Sequence, residues 1–188
     1  MNILDTFATP IGIEKNFTTE SQRINLYDKI KNIPHEKHEA ISGNGVSTHK
    51  KQMLSILDSD LKIKLQNCIE NYMNKFGIDT KLRLTHMWTN IQNKGSVLKK
   101  HIHGKSILSG AIYINVESNS TIHFHNPNPL MVFTEKADTS PYSDIMKMNV
   151  ENNMMIIFPS WLSHGNDNEI NHMNDRIVIS FNLAYEYD

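Results

Sequence analysis

The segment KKHIHGKS carries two histidines, His101 and His103, two residues apart. Side chains alternate along an extended strand, so both imidazoles project to one face. Such a pair supplies two nitrogen ligands for iron, nickel, copper or zinc. Taken alone, H-x-H reads more readily as two polar residues on a strand edge beside Lys99 and Lys100. His164, in PSWLSHGN, adds a third imidazole after the apolar strand MMIIF and a turn begun by Pro159. In a jelly roll that sequence separation lets a strand near the chain's end lie beside the H-x-H strand. Three ligands gathered on one side of a metal leave its other positions open for substrate and oxygen, as in non-haem iron sites. The plainer reading of His164 is a turn residue at a strand end.

Arg176 follows in DRIVISFN. Strand alternation puts Arg176, Val178, Ser180 and Asn182 on one face and Ile177, Ile179 and Phe181 on the other. A guanidinium pointing into a sheet interior needs an anion, and this inner face has neither Asp nor Glu, which makes a ligand carboxylate the natural partner. The competing reading is an edge-strand arginine paired with Asp175 or Glu186. The chain has only three arginines (Arg23, Arg83, Arg176) among 19 basic residues, so lysine is its default cation. An arginine kept within a strand then points to a need for its planar fork.

The elements that must position these residues change character near residue 80. Before it, Thr18 or Thr19 caps a helix with Ile24, Tyr27 and Ile30 on its apolar side, ending before Pro34. Asp58 or Ser59 caps a second helix. There Leu61, Leu65, Cys68, Ile69, Tyr72, Met73 and Phe76 recur at helical spacing, and Gly77 stands where a left-handed residue ends a helix. Cys68 falls on that stripe and reads as packing rather than as a nucleophile. Beyond residue 80 the period becomes two, in LRLTHMWTNIQ, SILSGAIYINVE, STIHFHN, NMMIIFPSW and RIVISFNLAYEY. Asn152-Asn153 fits a tight hairpin turn. Helices first and then six to eight antiparallel strands predict a mainly β fold. The expected form is a double-stranded β-helix, or jelly roll, with the N-terminal helices packed on one outer face. Residues 127–147 carry few regular signals and read as a flap or a loop over an open mouth.

With 188 residues, 39% hydrophobic and 21% charged, the composition is that of one globular domain, here 1–188. The expected division is helical support to about residue 80 and jelly-roll core beyond. A single cysteine excludes a disulfide framework and a cysteine zinc cage. The net charge of −1 argues against nucleic-acid binding, since no basic face is available for phosphates. No apolar run approaches the ~18 residues of a membrane span, and the opening MNILDTFATP does not read as a signal peptide. A soluble, cytoplasmic protein of a bacterium or phage-infected host is expected.

In order along the chain, H-x-H, SGAIYIN, FPSWLSHG and an arginine on the last core strand resemble the phage-type 2-oxoglutarate/Fe(II)-dependent oxygenases. LDTFATPIG is similar to that group's N-terminal Phe-x-x-Pro strand, ISGNGVSTH to its Gly/Ser-rich approach and HMWTN to its Trp-x-Asn strand. FPSWLSHG is the most specific match. The resemblance implies Fe(II) and 2-oxoglutarate as metal and cosubstrate, O2 as co-reactant, and hydroxylation of a C–H bond with release of succinate and CO2. The substrate, a small molecule or a peptidyl side chain, stays open. By position, His101 and His164 would ligate iron. Arg176 would bind the distal carboxylate of 2-oxoglutarate, with Ser180 as a hydroxyl partner. His103 stands where the broader superfamily has Asp or Glu, and as a third ligand it would make the centre one charge more positive. Tyr113 and Asn90, the latter sharing a face with Trp88, are further candidates for the cosubstrate pocket. His123 and His125 also share a face and could form a second metal pair, but they read as groups supporting the ligands from behind or as surface groups, and His35, His38, His49, His86 and His172 as solvated.

Two other readings compete. Gly95 followed by five residues and H-x-H resembles a first cupin motif, though the expected Glu is missing; this would be a metal protein without 2-oxoglutarate. A non-catalytic β-sandwich interaction module would instead leave the histidines scattered.

Overall fold

The computed structural model describes residues 8–128, 143–166 and 169–186. Among the described residues, two helices and eleven strands follow one another in the order β1 (Gly12–Glu14), α1 (Glu20–Lys31), β2 (Ile41–Ser42), β3 (Gly45–Ser47), α2 (Ser59–Lys75), β4 (Leu82–Gln92), β5 (Val97–Leu98), β6 (Leu108–Asn115), β7 (Thr121–His125), β8 (Ile145–Asn149), β9 (Met155–Pro159), β10 (His164–Gly165) and β11 (Arg176–Tyr185). A six-stranded sheet runs β1-β9-β6-β11-β4-β3, a three-stranded sheet runs β10-β7-β8, and β2 pairs with β5. Every pairing is antiparallel.

Alternation on β11 divides the interior in two. Ile177, Ile179, Phe181 and Leu183 turn toward the helices and join Leu26, Ile30, Leu61, Leu65, Ile69 and Tyr72 in one core. Val178 turns the other way and joins Ala111, Tyr113, Ile122, Phe124, Ile156 and Phe158 between the two sheets. Both helices thus cover the outer face of the large sheet, and the inner face is left to enclose a site.

Local chemistry explains both helices. Thr19 accepts from the Gln22 N–H while Gln22 returns a bond to the Thr19 N–H, which satisfies two orphan donors at the start of α1. The α1 stripe differs from expectation. Leu26 and Ile30 are buried, whereas Ile24 is exposed because its turn faces away from the sheet. Asp58 caps α2, and Leu61, Leu65, Ile69, Tyr72 and Met73 lie buried beneath it. Each such side chain contributes roughly 1.5–3 kcal/mol on burial, and Leu65→Ala is expected to cost about 2–5 kcal/mol. Cys68 is half-buried beside that stripe. Gly77 has φ +63°, the left-handed conformation that ends the helix.

One expectation needs correction, and two others are completed by the structure. Asn153 does adopt φ +70°, but the strands on either side of the turn, β8 and β9, belong to different sheets. The turn therefore passes the chain between layers instead of closing a hairpin. The first half is not only helical: β1 extends the large sheet beside β9, and β3 borders β4 at the other edge. Of 127–147, residues 129–142 lie outside the described residues, and the end of the segment is strand β8. Phe7 of the N-terminal Phe-x-x-Pro match also lies outside them.

Candidate active site

His101 is not on a regular strand. It forms an isolated antiparallel bridge with His164, and His103 occupies the turn that follows. The same-face expectation for the H-x-H pair nonetheless describes the outcome, because the two rings stand 5.0 Å apart. Each N–H of the bridge donates to the other residue's carbonyl at 3.0 Å, and the His103 N–H donates to the Ser160 carbonyl at 2.9 Å. The ring centroids of His101 and His164 are 4.4 Å apart, and those of His103 and His164 are 5.2 Å apart. One ligand nitrogen from each residue lies within 4.8 Å of the others.

Backbone carbonyls fix the tautomer of two of the imidazoles. His101 Nδ1 lies 2.8 Å from the Lys99 carbonyl and His164 Nδ1 lies 2.9 Å from the Leu162 carbonyl. A carbonyl only accepts, so Nδ1 carries the proton in both rings and the Nε2 lone pair is available. Burial, reinforced by the neighbouring His101, lowers His164 to about 3 and His103 to about 4. Both are neutral at physiological pH, the state a metal requires. Three imidazole nitrogens suit Fe(II), as they suit nickel or zinc.

These rings open into a cavity of about 260 Å³. Arg176, Ser180, Tyr113, Asn90 and Trp88 line the same cavity as His101, His103 and His164. All the residues singled out in sequence for metal and cosubstrate therefore converge. Two alternating strands make this possible. On β11 Arg176, Val178 and Ser180 face inward, and on the adjacent β4 Trp88, Asn90 and Gln92 do, with Arg176 opposite Gln92 and Ser180 opposite Trp88. Asn90 Nδ2 donates to Ser180 Oγ at 3.2 Å. Asn182 keeps to that face, where it accepts from Ser109 Oγ at 2.8 Å just before a bulge in β11, but it does not line the cavity.

Arg176 is buried, and its Nη1 donates to Gln92 Oε1 at 2.6 Å. Among the described residues no carboxylate forms an ion pair with it. Burial lowers its pKa, opposed by Tyr113 and Glu117. Burial also pushes the Tyr113 hydroxyl upward, so this phenol stays protonated. The cavity thus brings a cluster of three imidazoles, His103 and His164 among them neutral, together with a buried cation.

Two glycines permit the approach of strands. A Cβ on Gly165 would lie 2.8 Å from the Lys99 carbonyl oxygen and 2.9 Å from that of Leu98. Only hydrogen at that position lets β10 lie against residues 98–101, which is what brings His164 to His101. A Cβ on Gly110 would meet the Phe181 ring at 2.2 Å and the Ile156 carbonyl at 2.5 Å.

Several histidines depart from the solvated reading. His35 is held by the Ile33 carbonyl and Thr89 Oγ1, at 2.7 and 2.9 Å. His38 and His49 line the cavity, and His86 Nε2 donates to the His49 carbonyl at 2.8 Å. His172 is exposed, as expected. His123 is buried rather than at the surface, 3.3 Å from Glu169 and 3.1 Å from Thr121 Oγ1. Thr121 and Glu169 line a second, polar cavity of about 480 Å³ that shares Gln92, Leu98, Asn166 and Arg176 with the first. His38 and His49 carry no periodic signal because their segments are irregular, so sequence spacing could not place them.

A family model described as "Putative 2OG-Fe(II) oxygenase" matches residues 86–182, just over half of the chain. The chain belongs to the 2OG-Fe(II) oxygenase family, which takes Fe(II) as metal and 2-oxoglutarate as cosubstrate. HygX from Streptomyces hygroscopicus, with nickel and 2-oxoglutarate bound, is similar at a TM-score of 0.64 and 10% identity, over 94% of this chain and 83% of that one. The viral collagen prolyl hydroxylase of Paramecium Bursaria Chlorella virus-1, in complex with 2-oxoglutarate, gives 0.59 and 12%, over 92% and 94%. A Pseudomonas putida prolyl-4-hydroxylase gives 0.61 and 8%, over 96% and 94%. At these identities the likeness is one of fold, the double-stranded β-helix. Among curated proteins no significant match exists. No helix among the described residues is long and apolar enough to cross a membrane.

Proposed function

We propose that this Fe(II)- and 2-oxoglutarate-dependent oxygenase binds iron through His101, His103 and His164 and anchors 2-oxoglutarate through Arg176. The observation that carries this reading is the gathering of three ligand nitrogens within 4.8 Å of one another in a cavity that also holds a buried arginine. When bound, iron and 2-oxoglutarate together supply the oxidising chemistry, in which O2 oxidises a substrate C–H to an alcohol as the cosubstrate becomes succinate and CO2.

The chain's own residues bind, orient and exclude water. The Lys99 and Leu162 carbonyls hold two imidazoles in the Nδ1–H tautomer, with Nε2 turned to the metal. Arg176 offers its guanidinium to the distal carboxylate, supported by the Ser180 hydroxyl and the Tyr113 phenol. Asn90 orients the Ser180 hydroxyl by donating to it. Val178, Phe158 and Ile122 keep the inner wall apolar and strengthen the carboxylate–guanidinium contact. The substrate side is the region lined by His38, His49, Trp88 and Ile102. A small molecule and a peptidyl side chain both fit this description, and a reducing cytoplasm would suit ferrous iron.

Calorimetric titration with Ni(II) and then 2-oxoglutarate tests the assignment. One metal per chain, lost in His164→Ala, and cosubstrate binding that requires the metal are the expected results. Unchanged metal binding in His164→Ala would overturn it.

A further inference from the structure

His101 and His164 are each fixed by a ring N–H donated to a nearby backbone carbonyl. His103 is fixed by other means. Its backbone N–H is held by Ser160, which anchors the chain but leaves the ring torsion to whatever packs against it. Trp88 packs there, with ring centroids 5.6 Å apart and planes at 56°. The indole is buried and sits on β4, between β11 and the edge strand β3, opposite Ser180.

Trp88 is itself braced. His49 meets it edge-on at 5.0 Å and His86 lies 5.3 Å away, while the His86 ring N–H holds the His49 carbonyl. His38 meets His49 at 4.5 Å. A continuous wall of rings therefore runs from His38 to His103, and Trp88 is its one indole. Interlocked rings of this kind restrict rotation, and edge-to-face pairs add stabilisation beyond their buried area. A group that orients a ligating side chain affects metal affinity without touching the metal.

We propose that Trp88 is the positioning residue for His103, its buried indole holding the imidazole in the rotamer that brings its ligand nitrogen to those of His101 and His164. This inference rests on the reading of these three histidines as metal ligands.

Co(II) binding to the full chain, without cosubstrate, tests it through calorimetry and the visible d–d spectrum. Trp88→Leu is expected to weaken Co(II) binding about tenfold and to shift the spectrum. In a His103→Ala background the same substitution is expected to change neither. Trp88→Phe keeps a smaller ring and carries the same cycle should Trp88→Leu not fold; its expected loss is about threefold, again absent without His103. Wild-type affinity and spectrum in both Trp88 variants would overturn the proposal. An equal loss with and without His103 would do so too, by reducing Trp88 to a general structural role. If His103→Ala binds Co(II) with unaltered affinity and spectrum, the ligand assignment itself fails and the positioning role falls with it.

Discussion

The backbones of His101 and His164 donate to one another at 3.0 Å in both directions, and their rings stand 4.4 Å apart. Two residues remote in sequence are thus locked as neighbours by their own backbones. His103, two residues further on, completes the cluster, its backbone N–H held by the Ser160 carbonyl. Such preorganisation is what a metal site needs from its scaffold.

Gly165 tests that dependence on backbone pairing. Gly165→Ala places a methyl group against the Lys99 and Leu98 carbonyls, and it is backbone that would have to move. The variant is expected to lose about 1–3 kcal/mol of stability and to bind Ni(II) roughly tenfold more weakly. Thermal denaturation and calorimetry read the two effects. Full metal affinity in a folded variant would show that the bridge is not what positions the histidines.

Arg176→Met separates cosubstrate from metal. Losing a charge-assisted contact in a buried pocket is expected to weaken 2-oxoglutarate binding by about 10–100-fold while Ni(II) affinity stays within about twofold. A buried guanidinium without a carboxylate partner among the described residues costs desolvation, so the ligand-free variant should be no less stable than the wild type. Differential scanning calorimetry with and without 2-oxoglutarate checks both statements. A clear loss of stability without ligand would mean that the arginine is chiefly structural.

The alternation of β11 and β4 was legible from period alone, and with it the face shared by Arg176 and Ser180 and the face shared by Trp88 and Asn90; that the two faces adjoin follows from strand pairing. The helix α2 was legible for the same reason, since Leu61, Leu65, Ile69 and Tyr72 repeat at its period. Ile24 was misplaced because α1 is weakly one-sided and docking, not pattern, chooses its face. Asn152-Asn153 was recognised as a turn from local chemistry. Which strands it joins depends on sheet pairing, which is nonlocal and cannot be read locally. For the same reason His38, His49 and His86 read as solvated, although irregular segments and a β4 edge bring them together around Trp88.

Ser180 makes a finer distinction. Ser180→Ala removes one hydroxyl and the acceptor for Asn90, and is expected to weaken 2-oxoglutarate binding by about 0.5–1.5 kcal/mol with metal affinity unchanged. Isothermal titration measures this directly. A metal defect would argue that Ser180 shapes the histidine cluster instead.

The metal-free protein should lose stability as pH falls from about 6.5 toward 4. Burial lowers His103 to about 4 and His164 to about 3, and lowers His35, His38 and His49 in the same direction. Each such group binds protons more readily in the unfolded chain, so protonation favours unfolding within that window. Glu20 and Glu169, lowered from 4.5 to about 2 by their partners, add to the trend as the pH falls from about 4.5 toward 2. Denaturant midpoints from pH 7.5 to 4.5 record the effect, and His164→Ala should flatten it. A midpoint independent of pH across that range would contradict the buried, neutral state of these rings.

The most direct measurement is an anaerobic titration of the purified protein with Fe(II) and then 2-oxoglutarate, followed in the visible spectrum. The expected result is a charge-transfer band that needs both additions, is lost in Arg176→Met and is abolished or displaced in His103→Ala. Metal binding without any band on addition of 2-oxoglutarate would contradict the assignment of the Arg176 pocket. Failure to bind iron at all would contradict the account of the three histidines.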